Sequence, residues 1–140
     1  MLDNKDKKIL DVLKQNARLS IRDVAKKTKL RPSTVHKRLQ NLISSGIIKE
    51  FTLKLDDSAL DQDFTAFVYL STNQDLPSNF FSNPNLKEAF GITGEYDLLL
   101  KYKFKDISQF NDHIISLRKN KAISKTITNI ATINLKEVLN

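Results

Sequence analysis

The chain has 140 residues, 40% of them apolar, with three Gly, three Pro, no Cys and a formal net charge of +7 at pH 7. That length suits one ordinary domain or two small ones, and that composition is globular rather than low in complexity. Without cysteine there are no disulfides and no thiolate zinc sites. No apolar run approaches the roughly 20 residues that span a bilayer, and the start, MLDNKDKKIL, has no signal-peptide core. A soluble cytoplasmic protein is therefore expected. The charge is unevenly placed: residues 1–50 hold thirteen Lys and Arg against five Asp and Glu, a net +8, whereas 51–140 hold ten against eleven, a net −1. Such asymmetry marks a module facing a polyanion beside a neutral one.

The first helix is predicted to start after Asp3 or Asn4 and to run to about Gln15, with Ile9, Leu10 and Leu13 as its apolar stripe. A second opens at Ser20, where Asp23 completes an S-x-x-D capping box, and buries Ile21, Val24 and Ala25. A break at Lys29, Leu30 and Arg31 precedes Pro32, which suits the first turn of a third helix because no donor is needed there. That helix turns Val35, Leu39, Leu42 and Ile43 inward and ends at Gly46. Residues 47–55 alternate as a strand, and 56–63 read as an acidic linker.

Beyond residue 63 the period changes. Strands are predicted over 64–70 and 97–104, with a weaker one over 86–93 and a tight turn at Gly94, Glu95 and Tyr96. The span 76–85, with two prolines, supports one or two helical turns at most. Asp106 or Ser108 opens a helix with Ile107, Phe110, Ile114 and Leu117 inward, and 122–135 reads as the last strand, with Ile123, Ile127, Ile130 and Ile133. The order β-α-β-β-α-β is a ferredoxin-like arrangement. The expected class is α+β: a helix-turn-helix over 1–50, a hinge strand and linker over 51–63, and a ferredoxin-like domain over 64–140.

The outward face of the third helix has the chemistry of duplex readout. Ser33, Thr34 and Lys37, near its N-terminus, are the expected base readers; Gln40 and Asn41 suit adenine, and His36 lies on the flank. Arg22, Lys26, Lys27, Lys29, Arg31 and Arg38 are expected to hold phosphates. Polar helix faces are common, and it is the helix spacing, Gly46 and the charge split that together favour DNA. His36 and His113 fall in different modules without metal-ligand spacing, and no glycine-rich phosphate loop or nucleophile elbow exists. No enzyme, metal or cofactor is expected. The turn at 93–97 places Glu95 and Asp97 at a strand junction, either as routine turn capping or as a site for the ammonium of a small amino acid.

The start Leu2-Asp3…Asp6…Ile9-Leu10, the helix end Gly46-Ile47-Ile48 and the turn Thr93-Gly94-Glu95-Tyr96-Asp97 carry a family resemblance. Over nearly its whole length the chain resembles the Lrp/AsnC (feast/famine) transcriptional regulators. The resemblance implies a winged helix-turn-helix joined to a ferredoxin-like effector domain, dimers made through the sheet, tetramers or octamers built from dimers, and an amino-acid effector near the turn. By resemblance Ile92, Gly94, Glu95 and Asp97 fall at that site, with Thr126 and Thr128 as weaker carry-overs. Lys29 and Arg31 stand where the family usually has a glycine and a capping serine, the first helix of the effector domain is shortened, and 119–122 lacks the usual Pro-Gly.

The expectation is thus a sequence-specific regulator that reads a pseudo-palindromic duplex as a homodimer or higher oligomer. One rival is a weakly specific architectural DNA-binding protein with no effector. The other is an enzyme resembling the sirohaem decarboxylases, disfavoured by the absence of Trp and by a single His in the second domain.

Overall fold

A computed structural model describes residues 1–139. The chain divides into two units, Met1–Lys54 (with Val138 and Leu139) and Leu55–Glu137.

In the first unit, α1 (Asn4–Gln15) begins at Asp3, whose side chain accepts from the Asp6 N–H while Asp6 caps the Asp3 N–H in return. Helix α2 (Ile21–Thr28) is capped by Ser20, which accepts from the Asp23 N–H at 3.1 Å. The Asp23 carboxylate accepts from the Ser20 hydroxyl at 2.8 Å, so the second half of that box closes side chain to side chain. Thr28 is buried without a polar cost because its hydroxyl donates to the Val24 carbonyl at 2.7 Å. Lys29 then makes the left-handed turn at φ 57°, a conformation that glycine adopts without the Cβ penalty. Helix α3 (Pro32–Ser44) has Pro32 in its first turn and no side-chain cap from Arg31. It closes through Gly46 at φ 73°, whose N–H donates to Ile43, while the Ile48 N–H donates to Leu42. Ile9, Leu13, Val24, Ala25, Val35 and Leu42 form the shared core, and Ile43 stays at its exposed edge.

The strand expected over 47–55 does not form within the chain. Residues 49–56 are irregular, and Phe51, Leu53 and Leu55 stand exposed, Leu53 by 71%. Alternation selects an extended backbone, but a strand needs a second row of N–H and C=O groups, and among the described residues none pairs with this one. The linker is more ordered than its polarity suggests: Ser58–Leu60 forms a 3-10 turn, and Asp57 accepts from the Lys103 ammonium at 2.9 Å.

The second unit is a four-stranded antiparallel sheet in the order β2-β3-β1-β4, with β1 (Phe64–Thr72), β2 (Leu86–Gly91), β3 (Leu98–Phe104) and β4 (Ile123–Ile130). This is the ferredoxin-like order. Helix α4 (Ile107–Lys119) starts at Asp106, which accepts from the Gln109 N–H, and the β1–β2 connection contributes only the 3-10 turn Ser78–Ser82. Ala66, Val68, Leu70, Leu100, Tyr102 and Phe104 line the face under α4, where Ile114 and Leu117 complete the core. Ile107, expected inward, is 61% exposed because it opens the helix ahead of that contact.

The last strand is shorter than expected. It stops at Ile130, and Ile133 is 70% exposed. Ile127 is also exposed, since a bulge interrupts the alternation: Ser71 pairs with Lys125 but Thr72 pairs with Ile123, leaving Ser124 over. The extra residue returns Ile123 to the core face. On the opposite face, Lys103 is nearly buried between Asp57 and Glu137, and Lys101 pairs with Glu88 and Glu137.

Candidate nucleic-acid interface

The core of the first unit decides which residues of α3 face outward. Val35, Leu39 and Leu42 point inward, so Ser33, Lys37, Gln40 and Ser44 form the stripe opposite them. Ser33, His36, Lys37, Gln40 and Asn41 are exposed, and Thr34 is half-buried. Thr34, Lys37 and Asn41 line one side of a shallow cleft of about 460 Å³ whose wall includes Asp6 and Arg38. Arg22, Lys26 and Lys27 on α2, Lys29 in the turn and Arg31 before α3 are all exposed. An outward polar stripe with cations on the neighbouring helix and turn can address base edges and phosphates together.

Arg38 sits differently from the other cations. Its Nη1 donates to Asp3 Oδ2 at 2.6 Å and to Asp6 Oδ1 at 2.9 Å, and its side chain is 25% exposed. It braces α3 to α1, and its hydrogen bonds to Asp3 and then Asp6 strengthen its charged form. Asp3 is held below its ordinary value, first by the Asp6 N–H and then by Arg38. The arginine lies 35 and 32 residues from these aspartates along the chain, so no local motif reveals the brace.

The turn in the second unit is equally well partnered. Gly94 has φ 107°, the Ile92 N–H donates to the Asp97 carbonyl, and the Asp97 N–H donates to the Leu70 carbonyl. The Asp97 carboxylate accepts from the Thr72 N–H at 2.8 Å and from its hydroxyl at 3.3 Å. Glu95 pairs with Lys125, whose ammonium also lies 5.1 Å from the centre of the Tyr96 ring. Glu95 raises the affinity of Lys125 for its proton.

The six residues expected at the effector site do not converge. Successive residues of a strand face opposite ways, so Lys125 and Thr126 point to different sides of the sheet. Thr126 is opposite Leu70 and Thr128 opposite Val68, both on the α4 side. Thr128 lines an open cleft of about 470 Å³ with Phe110, Arg118 and Ile130, apart from the Glu95–Lys125 pair. Lys125, Ser71 and Thr72 were missed by sequence reasoning; strand pairing at the end of β1 brings them to the turn, and no local motif marks them. Among the described residues there is no cluster of three or more His, Cys, Asp or Glu able to hold a metal, and no helix long and apolar enough to cross a membrane.

Comparison with known proteins agrees with this division. Residues 2–49 match the family described as winged helix-turn-helix DNA-binding, and residues 65–138 match the Lrp/AsnC ligand binding domain. The transcriptional regulator AzlB of Bacillus subtilis is 36% identical over 93% of this chain and 88% of its own length. Among solved structures, a transcriptional regulator of Neisseria meningitidis in complex with L-Met superposes with a TM-score of 0.91 at 25% identity, covering 99% of this chain and 95% of that one. AsnC of E. coli gives 0.89 at 26% identity, covering 98% and 96%.

Proposed function

The chain belongs to the Lrp/AsnC family of transcriptional regulators, and on that footing we propose that it reads a pseudo-palindromic duplex as a homodimer, with the third helices of two copies in successive major grooves. It is a DNA-binding regulator with a ligand-binding domain; the dimer, the form of the site and the effector are the proposal. One observation carries it: the whole positive surplus lies in the unit whose α3 presents Ser33, Lys37 and Gln40 outward, beside Arg22, Lys26 and Lys27 on α2. A single small module makes few base contacts. Two-fold pairing doubles them and fixes half-site spacing near one helical turn or a multiple of it.

The effector reading centres on Glu95 and Lys125. They form an exposed pair of opposite charges at the turn, complementary to an amino-acid zwitterion, with the ammonium at Glu95 and the carboxylate at Lys125. Asp97 and Gly94 shape the turn, and Ile92 lies beside it. The L-Met complex of the Neisseria protein supports an amino acid as the ligand class.

The test is selection of bound duplexes from a random pool by the full chain, repeated with a mixture of amino acids. Enrichment of a two-fold symmetric site, with affinity changed by an amino acid and unchanged in Glu95→Gln, is expected. A steep salt dependence without any enriched site would instead favour the architectural reading.

A further inference from the structure

We propose that Asp3 and Asp6 act as specificity-determining positioning residues for DNA recognition, by holding Arg38 away from the phosphate backbone and fixing the rotation of α3. The inference rests on the regulator reading above and adds a mechanism to it.

The geometry is a closed account of two carboxylates. Asp3 Oδ1 accepts from the Asp6 N–H at 2.9 Å, and Asp6 Oδ2 accepts from the Asp3 N–H at 3.2 Å. The two remaining oxygens, Asp3 Oδ2 and Asp6 Oδ1, both accept from Nη1 of Arg38. All four oxygens are therefore used, two to start α1 and two to brace α3. A helix cap alone needs neither the arginine nor two acids aimed at one nitrogen.

The position of Arg38 gives the brace its consequence. It belongs to the same cleft as Thr34, Lys37 and Asn41, on the flank of the outward stripe. An arginine free at that flank would bind phosphate on any sequence, adding affinity without discrimination. Held by Asp3 and Asp6, it is withdrawn from that pool. A guanidinium fixed to α1 also restrains α3 about its own axis, and rotation of that helix is what decides which of Ser33, Thr34 and Lys37 reaches a base edge. The two acids thereby remove a sequence-independent contact and sharpen the sequence-dependent ones.

The full chain and its selected duplex provide the test. The double variant Asp3→Asn, Asp6→Asn keeps residues able to cap α1, because Asn caps as well as Asp. Its charge-matched control is Asp11→Asn, Glu50→Gln, two exposed acids of the same unit that no hydrogen bond described above involves. Relative to that control, random-duplex affinity is expected to rise, the slope of log affinity against log salt to steepen by about one, and the operator-to-random ratio to fall at least roughly threefold. Adding Arg38→Gln to the double variant should remove the extra slope while leaving the ratio low. Arg38→Gln alone should flatten the slope less than Lys27→Ala does, while also lowering the ratio. If the double variant matches its control in slope and ratio, or if Arg38→Gln alone flattens the slope as a phosphate ligand would, the inference fails while the regulator reading stands. A wild-type protein that prefers no duplex would overturn the regulator reading, and this inference with it.

Discussion

The carboxylate of Asp97 accepts the backbone N–H of Thr72 at 2.8 Å, so the acidic residue of the turn serves as a cap for the end of β1. The same residue donates its own N–H to the Leu70 carbonyl, and the turn is thereby stitched to the central strand at two points. Asp97→Ala is expected to lower unfolding free energy by about 1 kcal/mol, the usual net worth of such a bond, and Asp97→Asn by less because the amide oxygen still accepts. Urea titration followed by circular dichroism measures both. Equal stability of Asp97→Ala and wild type would mean that the bond is incidental.

Lys29 separates stability from DNA affinity. Its left-handed turn at φ 57° strains a residue with a Cβ, by about 1–2 kcal/mol, part of which glycine returns as chain entropy. Lys29→Gly should therefore raise the melting temperature of the first unit while reducing the salt slope of DNA binding by about one. A variant that is both less stable and unchanged in slope would contradict both halves.

Lys37 and Lys27 are expected to fail in different ways. Lys37 lies on the outward stripe of α3, so Lys37→Ala should reduce operator preference, by about 1–3 kcal/mol if it reads a base. Lys27 is exposed on α2, and Lys27→Ala should weaken all duplexes alike. Mobility-shift titrations against operator and random DNA separate the two, and identical profiles for both variants would place readout on another face.

His113 makes the second unit sensitive to acid. Its Nε2 is buried with no partner among the described residues, its Nδ1 lies 3.5 Å from Asn83, and its ring centre is 4.5 Å from that of Tyr102. Burial pushes its proton affinity below the ordinary imidazole value of 6.5. The unfolded chain then binds a proton that the folded chain refuses, so this contribution is intact above pH 6.5 and declines as pH falls through the folded value. Thermal melts between pH 7.5 and pH 5 should show a falling midpoint for wild type and a flatter profile for His113→Phe. Parallel profiles would show that His113 is not the group responsible.

Legibility followed sequence distance. Ser20 as a helix start, Pro32 in the first turn of α3 and Gly46 at its end could be read directly, and Asp3 and Asp106 to one of two candidates each, because caps act within three or four residues. The exposed stripe of α3 followed from periodicity alone. The segment 47–55 was misread because its alternation is local but its pairing is not. The bulge at Ser124 puts Ile127 on the face away from Ile123, and no pattern in that stretch announces it.

The residue order was thus enough to establish the two modules, their charge and the outward polar stripe of α3, since each depends on neighbours a few positions apart. The partners of its ionised groups were decided only in three dimensions. Arg38 found Asp3 and Asp6 on another helix, and Glu95 found Lys125 thirty residues along the chain. Coulomb and hydrogen-bond energies depend on separation in space, and folding sets that separation independently of spacing along the chain.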